Sequence, residues 1–362
     1  MDWLEQFQHY LCPAGDGVFT VRTAQEKKLH LQKLLYGSVN GDVVSIWKNH
    51  LEKLNHSNVP VILGICSDSG GGILRGANWG PLFIREALYQ KVPVEKFFDC
   101  GDVRINPHLL LDKYLNEVTI QRCRKVFYGD SEIPLSVSPL SITESVLTTL
   151  YENFPNKRVL GLGGDHSVSY ALIKPYLLSK HQQEKRVAVI HFDAHTDLLA
   201  ERLGIDICFG SWAYHILPYL SMPSDLIQIG IRSSGHDKAY WESQLGIEQY
   251  WADDIMKQGC SAIARKIIRS LKHKEVDEIY VTFDIDCLDV KYAFATGTPE
   301  PNGLTPRQAI QLIRSLAKVF PVTGADMMEV APFIKPFYSP RTTRHTAVVA
   351  ADICEVLLRS ML

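Results

Sequence analysis

The segment His191-Phe-Asp-Ala-His-Thr-Asp197 carries three side chains whose types and spacing suit metal-dependent chemistry. Asp193, His195 and Asp197 are two residues apart, so an extended chain projects all three to one side. Carboxylate oxygens and imidazole nitrogens together are the donors of a hydrolytic metal centre. The alternative is a set of turn and capping residues after a buried strand.

A second segment, Phe283-Asp-Ile-Asp-Cys-Leu-Asp289, repeats this spacing with Asp284 and Asp286. Both segments follow apolar runs, which predicts that their acids lie at the ends of strands. Cys287 lies inside the second segment, but its neighbours offer oxygen donors. We therefore expect Cys287 to be a small buried packing residue.

A third motif, Gly161-Leu-Gly-Gly-Asp-His-Ser167, follows the short apolar run that ends at Leu160. Its glycines allow the backbone to turn tightly out of a strand. The apolar residues of 170–173 then predict a helix, which places His166 at a strand-to-helix corner. Alone it would be an ordinary polar corner residue, but beside the five side chains above it is a candidate sixth ligand.

The elements that must position these residues are apolar runs separated by amphipathic segments. Six runs predict strands, at 59–65, 159–162, 187–192, 226–231, 279–283 and 322–328. Helical patterns lie between them, among them one with a capping box at Ser141 and one with a capping box at Thr305. This alternation predicts an α/β fold, with a doubly wound, mostly parallel sheet and helices on both faces. Ligands of such sheets bind at the carboxyl ends of the strands, where all three motifs lie.

The chain divides into a helical N-terminal extension, residues 1–57, and an α/β domain, residues 58–362. The extension is a packing arm or an oligomer contact, and we expect a homo-oligomer. Residues 103–137 show no clear pattern.

Composition excludes several classes of protein. The chain has 362 residues, of which 46% are hydrophobic, and a formal net charge of −2, which gives no field for nucleic acid or an anionic membrane surface. No apolar run approaches the roughly 20 residues of a membrane span, and the first residues lack a signal-peptide pattern. Eight scattered cysteines without a CxxC pair argue against structural zinc and a disulfide framework, so we expect a cytoplasmic protein.

The three motifs, with the glycine loop 295–304 and Glu329-Val-Ala-Pro332, resemble the ureohydrolase (arginase/agmatinase) family over roughly residues 60–360. The Pro-Glu-Pro sequence of the glycine loop is closer to the agmatinase-like branch. The resemblance implies an arginase-like three-layer αβα fold. It also implies a binuclear manganese hydrolase that attacks a guanidino carbon and releases urea.

The resemblance implies the following site. One Mn²⁺ is held by His166, Asp193, Asp197 and Asp284, and the other by Asp193, His195, Asp284 and Asp286. Glu329 pairs with the guanidinium-like end of the substrate, and Asp197 aligns the nucleophile. The expected partner is a small guanidino or amidine substrate, with an agmatine-type compound first among them.

One position departs from the family. Arginase-like enzymes carry a histidine before a glycine after the first aspartate motif, and Phe209 stands there in this chain. An aromatic hydrocarbon cannot carry protons. His215 is the candidate replacement as a catalytic residue, and a packing role is its alternative.

The loop that contains Phe209 is also rich in aromatic residues, with Trp212 and Tyr214. These rings either contact a substrate guanidinium through cation–π interactions or close the core beneath the loop. Arg232 and His236 follow another strand and are candidates for contact with a substrate acid or a neighbouring subunit. Two other functions stay open: hydrolysis of a formimidoyl compound, and a catalytically silent metal-binding relative with a binding or regulatory role.

Overall fold

A nine-stranded sheet forms the centre of the computed structural model, which describes residues 1–18, 22–37, 42–335 and 345–362. Its strands are β1 (Leu11–Cys12), β2 (Val61–Gly64), β3 (Phe98–Val103), β4 (Val159–Leu162), β5 (Val187–Phe192), β6 (Leu226–Ile229), β7 (Glu248–Tyr250), β8 (Glu278–Asp284) and β9 (Val322–Met328). The spatial order is β1-β3-β2-β4-β9-β8-β5-β6-β7. Only the pairing of β1 with β3 is antiparallel. The predicted doubly wound, mostly parallel sheet is confirmed.

Helices cover both faces of this sheet. They are α1 (Trp3–Tyr10), α2 (Gln25–Tyr36), α3 (Val43–Leu51), α4 (Gly80–Tyr89), α5 (Glu117–Tyr128), α6 (Pro139–Asn153), α7 (Val168–Gln182), α8 (Trp212–Ile216), α9 (Lys238–Leu245), α10 (Ala252–Gln258), α11 (Cys260–His273), α12 (Pro306–Ala317) and α13 (Thr346–Ser360). One layer packs α6 between α1 and α7, with α8 on α7, and the other packs α4, α13, α12 and α11 in sequence. This is the expected three-layer architecture.

The central strands are apolar because both of their faces are covered. Every residue of β2, β4, β5 and β6 is buried. Such strands are continuous apolar runs in sequence, which is why the six predicted runs all contain strands. β4, β9, β8 and β5 are neighbours at the centre of the sheet, so the segments that follow them meet at one edge.

Helix starts test the capping predictions. At α12, Thr305 Oγ1 accepts from Gln308 N at 3.2 Å and Gln308 Oε1 accepts from Thr305 N at 2.9 Å, which confirms that capping box. The capping box predicted at Ser141 is wrong, because α6 begins two residues earlier with Pro139 in its first turn and Ser138 as N-cap. Ser141 Oγ instead accepts from Asp112 N, which ties the preceding loop to the helix.

The described part of residues 1–57 packs on the α/β core. β1 adds an antiparallel strand to β3, with Leu11 opposite Val103. Trp47 is fully buried and its Nε1 donates to Cys100 O at 2.9 Å. The packing-arm alternative has these contacts in its favour, while the division of the chain at residue 57 stays a prediction. Among the described residues, no helix is long and apolar enough to cross a membrane.

Candidate metal centre

The carboxyl ends of β4, β9, β8 and β5 bring the sequence motifs together. Asp193 follows β5 directly, and Asp284 is the last residue of β8. Glu329 follows β9, and His166 lies in the turn between β4 and α7. Because these strands are adjacent and parallel, residues far apart in sequence converge at one edge of the sheet.

His166 occupies the buried half of the centre. Its Nδ1 lies 3.1 Å from Asp193 Oδ2, 3.3 Å from Asp197 Oδ2 and 3.1 Å from Asp284 Oδ2. Within the described part of the chain, this buried nitrogen has no hydrogen-bond partner of adequate geometry. A fully buried ring nitrogen that faces three carboxylates without a hydrogen bond fits a position for a cation between them.

The other nitrogen of His166 determines the direction in which the ring faces. His166 Nε2 lies 3.1 Å from Thr282 Oγ1, and Thr282 Oγ1 donates its proton to Asp326 Oδ1 at 2.6 Å. Thr282 must therefore accept from His166, so Nε2 carries a proton and, in the neutral ring, the Nδ1 lone pair is available to a cation between the carboxylates. Tyr280 and Ser169 also donate to the buried Asp326 carboxyl and complete this network. Partners of this kind orient a metal-ligating histidine.

His195 occupies the open half of the centre. Its Nδ1 lies 3.4 Å from Asp193 Oδ1 and 3.1 Å from Asp286 Oδ2. Its Nε2 points outward, 3.5 Å from Glu300 Oε1. Asp193 thus faces both histidines, as expected of a bridging ligand. Among the described residues, potential ligand atoms within 4.8 Å of one another form two groups. One consists of His166, His191, Asp193 and Asp197, and the other of Asp193, His195 and Asp286.

His191 also lies in the buried half but is oriented as a hydrogen-bond donor. Gln228 Nε2 donates to the carbonyl of Thr196 at 2.6 Å, which fixes the orientation of the Gln228 amide, and it lies 3.0 Å from His191 Nδ1. His191 Nδ1 must therefore accept, so His191 Nε2 carries the proton and donates to Asp193 Oδ2 at 2.8 Å. Gln249 donates to Gln228 Oε1 at 2.7 Å, so a buried chain of hydrogen bonds runs from Gln249 through Gln228 and His191 to Asp193.

The carboxylates cannot all be ionised here without a compensating cation. Burial, and then the charges of Asp286 and Asp193, raise the pKa of the Asp284 carboxyl well above its usual value. Burial and the charge of Asp193 likewise raise the pKa of Asp197. Burial acts to lower the pKa of His166, but the three carboxylates around it raise that pKa well above its ordinary value. The site favours positive charge among these acids, and the oxygen-rich donor set suits Mn²⁺ or another hard divalent cation.

Asp197 is held in a fixed orientation by its own backbone and by Trp212. Its φ of +52° lies in the left-handed region that aspartate tolerates better than most residues. Trp212 Nε1 donates to Asp197 Oδ2 at 2.7 Å. The Trp212 ring packs against the His166 ring at 4.6 Å between centroids, so it is part of the core beneath the site.

Glu329 lies against the buried half. His166 N donates to Glu329 Oε1 at 2.9 Å, and Glu329 N donates to Gly164 O at 2.8 Å. Burial, followed by the charge of Asp284, raises the pKa of the Glu329 carboxyl well above its usual value. Glu329 is 5% exposed, and its Oε2 lies beside the glycine loop, 3.4 Å from the position that a Cβ on Gly297 would take. This carboxylate is placed to pair with a cationic group that enters the site.

The structure does not bring His215 into this group. His215 lies on α8, and its Nε2 contacts Ala200 O at 2.8 Å. Its ring packs edge-on against Tyr214 at 5.3 Å. These contacts match the packing alternative, and a catalytic role for His215 stays a prediction.

Phe209 does not offer its ring face to a substrate cation. The Arg202 guanidinium already lies over that face, 4.8 Å from the ring centroid. Arg232, the other basic candidate after a strand, is tied to backbone carbonyls. Its Nη2 donates to Asp286 O at 2.7 Å and to Glu300 O at 3.0 Å, so it fastens the glycine loop to the end of β8. His236 stacks on Tyr240 with centroids 3.8 Å apart.

The family model described as the arginase family matches residues 59–359. The chain belongs to the arginase family. Agmatinase from Chromobacterium violaceum is 34% identical over 238 residues, which cover 64% of this chain and 67% of that protein.

Solved structures of arginase-family proteins show the same fold. The crystal structure of a hypothetical agmatinase from Burkholderia thailandensis aligns with a TM-score of 0.59 and 28% identity over 84% of this chain and 86% of that one. Formimidoylglutamase from Bacillus subtilis aligns with a TM-score of 0.65 and 22% identity over 84% of this chain and 87% of that one. The chain is therefore a hydrolase of the agmatinase and arginase type.

Several residues that shape this arginase-family site are absent from the sequence prediction. They are His191, Gln228, Thr282, Asp326, Thr298, Glu300 and Arg202. His191 had a signal, since it stands two residues before Asp193 and so shares its face of β5. Thr282 had the same signal, since it stands two residues before Asp284 on β8, whereas the other residues carry no spacing pattern that points to the metal ligands.

Proposed function

We propose that this chain is a binuclear manganese hydrolase that cleaves the C–N bond of a small linear guanidino compound and releases urea and an amine. The observation that carries the proposal is the buried His166 Nδ1, which faces three carboxylates and makes no hydrogen bond with the described residues. Agmatine is the type of substrate that the sequence indicates. A guanidino compound fits because Glu329, a buried carboxylate, lies beside the same residues.

The proposed metal ligands are those that the family resemblance implies. One ion would be held by His166, Asp193, Asp197 and Asp284. The other would be held by Asp193, His195, Asp284 and Asp286. Two Mn²⁺ ions, when bound, would lower the pKa of a water molecule so that it ionises at neutral pH.

The protein's own groups orient the reactants. Trp212 holds one oxygen of Asp197 by a hydrogen bond, so the carboxylate is preset to align an attacking oxygen. Glu329 can pair with the planar cation by charge-assisted hydrogen bonds. Asp68, Asp165 and Glu329 form an acidic wall, since the charges of the two aspartates act on Glu329. Burial and the charge of Asp68 raise the pKa of Asp165 to about 6. An acidic wall of this kind stabilises a guanidinium more than a neutral amidine.

The leaving amine must gain a proton, and Phe209 cannot supply it. If delivery of this proton limits turnover, Phe209→His should raise kcat. A single-turnover measurement on the manganese-loaded variant and the wild type, with Tyr214→Phe as a control in the same loop, tests this expectation. An unchanged rate would show that the proton reaches the amine by another route.

The decisive experiment is urea release from the purified, manganese-loaded chain. The panel is agmatine, arginine, 4-guanidinobutyrate, guanidine and an N-formimidoyl compound, with metal content determined on the same sample and chelator-treated protein as the matched control. Urea from one compound with two ions per chain supports the proposal. Formamide from an N-formimidoyl compound, or two ions without any product, would replace it with the formimidoyl hydrolase or the silent relative.

We further propose a cytoplasmic homo-oligomer. The family's bacterial agmatinase relative and the composition support the first part. Size-exclusion chromatography with light scattering on the full chain tests the second.

A further inference from the structure

A tight hairpin stands at the rim of the centre, between Asp197 and α8. Arg202 N donates to Ile205 O at 2.8 Å, and Ile205 N donates to Arg202 O at 3.0 Å. The two residues of the turn have positive φ, +53° at Leu203 and +80° at Gly204. A leucine in this conformation is strained, and its side chain is 96% exposed. The sequence thus maintains a costly turn that fixes the position of Arg202.

Arg202 differs from the other cations at this end of the sheet. Lys113 pairs with Asp206, Arg75 lies 3.7 Å from Asp68, and Arg232 is bound to carbonyls. For Arg202, the contacts within the described part of the chain are its backbone bridge and the ring of Phe209, with no ion pair. Its guanidinium donors therefore remain available to a ligand.

Arg202 and Phe209 line a cavity of about 270 Å³. The other walls come from the glycine segment Gly70–Ile73, from Leu110 and from Leu203, Ile205 and Cys208 of the same loop. Ser69 also lines the cavity. The walls are otherwise mostly apolar, and Arg202 is the one charged residue among the described residues that line them. A cavity with this lining suits a short methylene chain that ends in an anionic group.

Backbone hydrogen bonds connect this cavity to the metal centre. Phe209 N donates to Gly70 O at 3.0 Å, and Gly70 N donates to Asp165 Oδ2 at 3.1 Å. Asp165 directly precedes His166 and belongs to the acidic wall beside Glu329. The glycine segment therefore contacts both the wall of this cavity and Asp165 of the metal centre, so the two sites are neighbours.

We infer that Arg202 binds a carboxylate at the far end of the substrate, so that the substrate class is a short ω-guanidino acid. This inference rests on the proposed function and narrows it. The guanidinium is attracted by the acids of the centre, and the carboxylate is attracted by the single cation of the cavity. A tail that ends in an ammonium group, as in agmatine, would meet Arg202 with like charge.

Two compounds with the same chain length separate the two tails. 4-Guanidinobutyrate ends in a carboxylate and agmatine ends in an ammonium group. Arg202→Gln should raise KM for 4-guanidinobutyrate about 10- to 100-fold with little change in kcat, the effect of one lost charge-assisted interaction. Arg202→Glu should reverse the preference, with a lower KM for agmatine and a higher KM for 4-guanidinobutyrate. Arg265→Gln, at an exposed arginine of α11, is the matched control and should change neither.

A purely structural role of Arg202 predicts something else. If its guanidinium only covers Phe209, both variants should affect the two compounds alike, and that result overturns the inference. A wild-type preference for agmatine also overturns it.

Binding measurements keep the two proposals distinguishable. If no compound releases urea, the proposed function fails, and calorimetric titration of the manganese-loaded chain with 4-guanidinobutyrate and agmatine still tests the tail. Tighter binding of the acid, lost in Arg202→Glu, supports the carboxylate site. Equal or weaker binding of the acid contradicts it.

Discussion

The two histidines of the centre present the same nitrogen to their carboxylates but stand in opposite surroundings. His166 Nδ1 and His195 Nδ1 each lie 3.1 Å from an aspartate oxygen. The His166 side chain is 1% exposed, and its Nε2 is held by the buried hydrogen-bond network of Thr282 and Asp326. The His195 side chain is 26% exposed and faces Glu300, which is itself 31% exposed.

This difference separates two requirements of the site. The buried half determines where the carboxylates stand, because the donors to Asp326 and the His191 donor to Asp193 lie in the core. The open half is the side from which we expect a substrate to enter. His195 is partly exposed there, and so are Thr298 and Glu300 of the glycine loop. Hydrogen bonds in the buried half should therefore contribute more to metal binding than those in the open half.

The largest expected effect comes from the residue that joins both halves. Asp193→Ala removes the carboxylate that faces His166, His191 and His195, so both cations should be lost and turnover abolished. Manganese should raise the Tm of the wild type but not of the variant. Metal analysis and thermal unfolding with and without manganese check this, with Asp253→Ala, an exposed aspartate on α10, as control. A variant that retains two ions per chain would contradict the bridging role.

Two threonines, Thr282 in the buried half and Thr298 in the open half, test whether the two halves contribute differently to metal binding. Thr282→Val removes the acceptor of His166 Nε2 and a donor to the buried Asp326, so manganese affinity should fall about 10- to 100-fold. The free energy of unfolding should fall by about 1–3 kcal/mol. Thr298→Val removes the hydrogen bond to Asp286 Oδ2, 2.9 Å long, at a partly exposed position where water can replace it.

The effect of Thr298→Val should accordingly be several-fold smaller in both quantities. Calorimetric manganese titration and urea unfolding of the two variants measure the contrast. Equal losses in the two variants would show that the halves do not differ as described.

A smaller effect is expected from the donor to Asp197. Trp212→Phe keeps an aromatic ring against His166 but removes the Nε1 donor. We expect kcat to fall by about 10-fold or more, because one charge-assisted hydrogen bond is lost, with KM little changed. Steady-state kinetics check this, and Tyr214→Phe on the same helix is the control. A change confined to KM would mean that Trp212 acts on binding instead of on the alignment of Asp197.

The smallest effect concerns the anchor of the Arg202 loop. Partial burial acts to raise the pKa of Asp206, but hydrogen bonds from Lys113 and Tyr114 lower it to about 2. The stability that it contributes is therefore present above its unfolded pKa of about 4 and is lost as the pH falls toward 2. The unfolding midpoints of the wild type and Asp206→Asn should differ slightly at pH 6, by roughly half as much at pH 3, and converge as the pH approaches 2. A constant difference across this range would exclude the ion pair as its cause.

The sequence predicts the central sheet and the convergence of the ligand motifs because both depend on local patterns. Apolar runs mark strands that are covered on both faces, and a spacing of two residues marks one side of a strand. Helix α13 has only a weak signal, because ten of its fifteen residues are buried and its charged residues, Asp352, Glu355 and Arg359, form a narrow stripe. Helix α5 lacks a signal for the opposite reason, since none of its residues is fully buried.

The orienting groups could not be predicted because they come from distant parts of the chain. Thr282 contacts His166 only because β8, which carries Thr282, is separated by β9 alone from β4, which leads to His166. Gln228 contacts His191 only because β6 pairs with β5. The sequence left a contact between Phe209 and a substrate cation possible. The structure shows that Arg202, which the hairpin at Leu203 positions, lies over one face of the Phe209 ring. Contacts of this kind depend on strand order and side-chain direction, which spacing along the chain does not contain.

The most direct test of the account is the manganese content of the saturated protein, measured on the sample that is assayed for urea release from guanidino compounds. A binuclear manganese hydrolase should hold two ions per chain, and its rate of urea release should fall to background as chelator removes them. One ion or none at saturation, or urea release that does not depend on the metal content, would contradict it.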